Sequence, residues 1–137
     1  MKNLLQSFAD TYFIVANTIS YLMERGNIIE LKYIVSDLHN AIQEIYFQGG
    51  IAFLNSCLIE TIQNAFSRFA QLEVCELKSY ESSEGPDIVY LMCRPTRKIV
   101  LDRYYAVLEA MSSSSNNPEK TRIIEIEIEQ AVKLTTG

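Results

Sequence analysis

Apolar residues recur every three or four positions near the start of the chain, at Leu4, Leu5, Phe8, Tyr12, Val15, Ile19 and Leu22. That spacing predicts an amphipathic helix with one buried face, and Gly26-Asn27 is a helix stop. Ile28, Leu31, Val35, Leu38, Ile42 and Ile45 repeat the pattern and predict a second helix ending at Gly49-Gly50. The short connection makes the two helices antiparallel neighbours. Residues 51–54 are too few for a helix and predict a short strand. Asn55 or Ser56 then caps a third helix, with Glu60 in its first turns and Leu58, Ile59, Ile62, Phe66 and Phe69 on its buried face.

Residues 74–80 and 88–94 read as two strands of a hairpin, joined by the turn chemistry of residues 81–87, with Pro95 ending the second. Val100, Tyr104, Val107, Leu108 and Met111 predict a fourth helix facing the same core. Residues 112–118, SSSSNNP, read as a flexible polar linker. Beyond it, Ile124, Ile126 and Ile128 alternate with glutamates. Period-two alternation favours a strand there, while the Glu-rich composition also permits a helix. The expected fold is mainly α with a small β-hairpin, an α+β class: an antiparallel helix pair on a winged-helix-like unit, with a C-terminal strand. Residues 1–111 form the domain, 112–118 the linker, and 119–137 a strand or helix tail.

A chain of 137 residues, 48% of them apolar, supports one core and not two. Its net charge of -5 argues against nucleic acid as a partner. A DNA-binding version of the fold needs cations on the third helix, where Arg68 is the only one between Ser56 and Leu72. No apolar run is long enough to span a membrane, and no secretory signal opens the chain. Cys57, Cys75 and Cys93 form no C-x-x-C pair and read as reduced, intracellular packing thiols.

Chemistry-bearing constellations are scarce. His39 is the sole histidine, and Glu44 follows at the spacing of an H-x4-D pair. On a helix those two side chains point about 140° apart and cannot meet. Ser83-Glu84-Gly85-Pro86 is a hairpin turn, and Gly49-Gly50 is a helix stop in preference to a phosphate cradle. No His/Cys set has zinc spacing and no Asp-rich loop suits calcium. The sequence therefore offers no catalytic, cofactor-binding or metal residue. Its densest cationic cluster is Arg94, Arg97, Lys98 and Arg103. These residues are either solvated or salt-bridged surface charges, or a contact for a partner domain or acidic lipid headgroups.

One stretch resembles a known family. Gln48-Gly49 and Asn64-Ala65 stand at fixed spacing, with Ser56 and Glu60 between them, and Ser-Phe-Ala-Asp-Thr-Tyr occupies 7–12. This set is similar to the C-terminal region of the glycerol-3-phosphate and dihydroxyacetone-phosphate acyltransferases. Phe8, Asp10 and Tyr12 match that family's Pro-Phe-hydrophobic-Glu-Ser-Tyr segment in type, Ser7 departs from its proline, and the resemblance covers about residues 4–78. It implies a non-catalytic C-terminal module of an acyl-CoA-dependent O-acyltransferase of glycerophospholipid or ether-lipid synthesis. Such a module docks on an upstream catalytic domain and stabilises or regulates it, and alone it can self-associate through the uncovered face. The Leu134-Thr-Thr-Gly end lacks a peroxisomal address, so the resemblance implies a parent on a mitochondrial or endoplasmic-reticulum membrane. The alternative is a free-standing helical, winged-helix protein-interaction module with no enzymatic role.

Overall fold

A computed structural model describes residues 2–26, 28–52, 54, 58–112 and 114–137, with side chains from Phe8 onward. The elements are α1 (Lys2–Arg25), β1 (Ile28–Glu30), α2 (Leu31–Phe47), α3 (Leu58–Gln71), β2 (Glu76–Tyr80), β3 (Ile88–Met92), α4 (Lys98–Met111) and α5 (Pro118–Thr136). The fold is mainly helical with one small antiparallel sheet, the expected α+β class. The sheet runs β1-β3-β2, with Ile29 opposite Leu91 and Leu77 opposite the same Leu91. Helix, strand, two helices and a hairpin in this order, with the first strand beside the last, make a winged-helix-like layout. The strand that completes it is β1, ahead of α2. Residues 51 and 52, expected in that strand, form bends instead. Phe53, Asn55, Ser56 and Cys57, and with them the expected cap of α3, lie outside the described residues.

Helix α1 is the axis of the molecule. It packs on α3, α4 and α5, so Phe13, Ile14, Val15, Ala16, Ile19, Leu22 and Met23 are all buried. A single amphipathic stripe understates this, because a helix covered on several sides carries apolar residues around most of its circumference. Polar residues caught inside satisfy themselves along the helix. Asn17 Nδ2 donates to the Phe13 carbonyl at 3.1 Å, and Thr18 Oγ1 donates to that of Ile14 at 2.8 Å. Gly26 ends α1 with φ of +67°. Its N–H reaches the Leu22 carbonyl at 2.9 Å, a stop that the sequence signals directly.

The chief neighbours of α2 are α5 and α3, in place of the expected pairing with α1. Its seam of Ile34, Val35, Leu38, Ala41, Ile42 and Ile45 is buried. Ile28, which the periodicity assigns to that helix, lies in β1 and is exposed.

The C-terminal segment corrects the strand reading. It is a helix, with Asn117 accepting from the Lys120 N–H at 3.2 Å and Pro118 in its first turn. Ile124, Ile128, Ala131 and Val132 are buried at helical spacing, while Ile126 points outward. Two of the three alternating isoleucines thus share a helix face at i and i+4, a geometry the alternation conceals. The preceding segment is a structured turn. Ser112 and Ser114 are buried and their hydroxyls are 2.7 Å apart. Residues 118–136 are accordingly part of the core, packed on α2 and α1.

Candidate functional site

Helix α4 carries two apolar rows. Leu101, Tyr105 and Leu108 face inward: Leu101 is buried, and the Tyr105 ring sits 5.3 Å from that of Phe13. Val100, Tyr104, Val107 and Met111 make the second row, which the sequence assigned to the core. From Tyr104 on it turns outward: Val100 is half-buried and packs against the core, while Tyr104 is 37% exposed, Val107 59% and Met111 56%. Periodicity alone cannot choose between the rows, because both repeat at i, i+4 and i+7. The choice falls to α1, whose Phe13 meets the Tyr105 row. Where the outward row meets α1 and α3 there is an open groove of about 500 Å³, lined in part by Phe8, Tyr12, Leu108 and Met111. Apolar side chains concentrated on one helix face are a usual mark of a contact surface.

A second depression, of about 550 Å³, opens where the hairpin leaves α3, between Glu73, Cys75, Glu76, Met92, Arg94 and Arg97. It gathers half of the cationic cluster, with each cation held by a carboxylate. Arg97 Nη2 lies 2.9 Å from Glu73 Oε2, and its Nε donates to the Glu73 carbonyl at 2.7 Å. That clamp fixes the tight turn after α3, where Glu73 has φ of +62°. Arg94 Nη2 lies 3.3 Å from Glu76 Oε2. Lys98 and Arg103 are exposed on the first turns of α4 and form no ion pair among the described residues. The structure therefore separates the cluster into two partnered arginines and two solvent-facing cations.

Cys75 and Cys93 are buried free thiols on the strand ends beside this depression. Burial, then the Glu76 charge, pushes the Cys75 thiol up to about 12. Burial, with Cys75 second, pushes Cys93 higher still. At neutral pH both are protonated, so neither is a ready nucleophile.

His39 and Glu44 both lie on α2, as expected. Glu44 Oε1 accepts from Gln48 Nε2 at 3.2 Å, and the same amide donates to Glu127 of α5 at 3.0 Å. Gln48 and Glu44 thus tie α2 to α5. Ser83-Glu84-Gly85-Pro86 forms the exposed turn of the hairpin. On α3 the outward residues Ile59, Glu60, Gln63, Asn64, Ser67, Arg68 and Gln71 carry one cation among them, and Ile59, expected on the buried face, is exposed. No cluster of three potential metal ligands occurs among the described residues. No helix of the described residues is long and apolar enough to cross a membrane. Set against family models, curated proteins and solved structures, the chain matches none.

Proposed function

We propose that this chain is a non-enzymatic protein-interaction module on a winged-helix-like scaffold, with the outward row of α4 and its adjoining groove as the contact surface. The observation that carries the reading is the double row on α4: a helix already seated on α1 displays a second apolar stripe to solvent. The occupant is a second copy of the chain. Val100, Tyr104, Val107 and Met111 are spaced 4-3-4, which is symmetric about its centre. Two such rows packed antiparallel set Val100 against the partner's Met111 and Tyr104 against the partner's Val107, the self-complementarity of a twofold interface. The groove bearing Phe8 and Tyr12 lies within reach of the partner and enlarges the buried area. The α3 face, with Arg68 as its cation, suits a protein surface better than a phosphate backbone.

A second reading rests on the sequence resemblance over residues 4–78: the row is covered by the catalytic domain of an acyl-CoA-dependent glycerol-3-phosphate or dihydroxyacetone-phosphate acyltransferase. The residues that suggest it have structural roles here. Gln48 and Gly49 close α2, and Ala65 is buried in α3. Co-expression with the H-x4-D domain of such an enzyme separates the readings. Under the second, the two co-purify as a 1:1 complex that Val107→Glu disrupts. Under the first, the chain runs as a dimer and ignores that domain. Shifted mobility of a short DNA duplex at low micromolar protein would overturn both.

A further inference from the structure

We propose that Cys75 and Cys93 are a modification site, a thiol pair that closes to an intramolecular disulfide by exchange with a low-molecular-weight disulfide. The register of the hairpin places them together. The ladder between β2 and β3 ends at Glu76 paired with Met92, and Cys75 and Cys93 are the residues immediately beyond that last pair, so continuing its register would set them opposite each other. Directly opposed residues of an antiparallel pair have Cα atoms about 4.5–5.5 Å apart. This falls inside the roughly 4.4–6.8 Å span of disulfides. Side chains alternate along a strand, so both cysteines lie two residues from Leu77 and Leu91 and point to the same face. That face is the core: Leu91, Cys75 and Cys93 are all buried. The mutual influence of the two thiols on protonation agrees with their proximity.

The surroundings supply a way in. Cys75 lines the 550 Å³ depression and Cys93 does not, so of the two buried sulfurs Cys75 lies nearer to an external reagent. Two ion pairs, Arg97–Glu73 and Arg94–Glu76, bracket the strand ends beside that depression. The hydrogen bond that Cys75 Sγ makes to the Phe66 carbonyl is a weak one, at 3.8 Å.

The exchange runs in two steps. Burial holds the Cys75 thiol protonated at neutral pH, so the exchange is slow there and quickens as pH rises: the thiol loses its proton to solvent, and the thiolate attacks one sulfur of the reagent RSSR. A Cys75–SR bond forms, the reagent's S–S bond breaks, and RS⁻ leaves to take up a proton. Cys93, deprotonated in turn, attacks the Cys75 sulfur and expels the second RS⁻. The protein is oxidised by two electrons and RSSR is reduced to two RSH. The product ties β2 to β3 at the base of the hairpin and removes two thiols from the core.

The test uses the full chain with Cys57→Ser, incubated with oxidised glutathione, acid-quenched, alkylated in denaturant and mapped by mass spectrometry without reduction. The expected product is one peptide pair joining Cys75 to Cys93 within a single chain, the denatured intact mass of that chain falling by two hydrogens. With Cys93→Ser as well, glutathione accumulates on Cys75; a Cys93→Ala chain serves if the serine variant does not fold. Two alkylated thiols, separate glutathione adducts on both cysteines in the chain that retains them, or a disulfide only between chains would each overturn the proposal.

Discussion

Gly50 sits where the end of α2 meets α5, and it shows how one missing side chain sets a helix contact. A Cβ there would stand 2.7 Å from Ile45 Cγ2 and 3.1 Å from Ile123 Cγ2. Gly50→Ala is therefore expected to destabilise the fold by about 1–3 kcal/mol through overpacking. Gly85→Ala, with nothing within 4 Å of the added atom, should change little. Denaturant titration of the two variants side by side checks this; equal stability would mean that Ile45 and Ile123 do not press on Gly50 as described. The stop at Gly49-Gly50 was legible in the sequence as a helix terminator. The role of Gly50 in admitting Ile123 was not, because it depends on a helix more than seventy residues downstream. The symmetry behind the proposed Cys75–Cys93 pair, in contrast, was within reach: both lie nine residues from Glu84, at the centre of the predicted turn. Reading the cysteines for zinc or C-x-x-C spacing passed over that symmetry.

At the scale of elements, the two faces of α4 separate stability from association. Leu101→Ala removes a buried side chain and should cost about 2–5 kcal/mol. Val107→Glu alters a position exposed in the single chain and, measured at dilutions where the wild type is also dissociated, should leave stability within roughly 0.5 kcal/mol. A Val107→Glu chain that unfolds as readily as Leu101→Ala would place that row in the core. Helix α5 gives the matching case: Ile128→Ala, fully buried, should cost about 2–5 kcal/mol, and Ile126→Ala far less. Equal losses would favour the alternating, strand-like environment. The existence of α1, α2, α3 and the hairpin could be read from periodicity and turn chemistry, since each has one dominant pattern. The fates of α4 and α5 could not. In α4 two rows compete for one core, and in α5 the alternating isoleucines mask the i, i+4 pair that is buried. The outward row, the candidate contact surface, was accordingly visible as apolar residues and misassigned to the interior.

For the whole molecule, buried acids set the response to pH. The Cys75 and Cys93 thiols, and the Tyr21 and Tyr105 hydroxyls, ionise at higher pH in the fold than their ordinary values of 9.0 and 10.0. Burial is the leading cause for all four, with Glu125 adding to both tyrosines. The unfolded chain then releases these protons first, so stability is intact below about pH 9 and falls as pH rises above it. Melting temperature measured from pH 7 to 10.5 should drop on the alkaline side, and less steeply in a Cys75→Ala/Cys93→Ala chain. A flat profile would mean that the thiols are not buried as described.

Among the apolar residues the fold leaves exposed is the outward row of α4, and the proposed function stands on what covers it. Light scattering coupled to gel filtration, at tens of micromolar chain, measures this most directly. The account predicts twice the 15.6 kDa chain mass for the wild type and a folded chain of single mass for Val107→Glu. A wild-type chain of single mass, or a dimer that survives Val107→Glu, would contradict it.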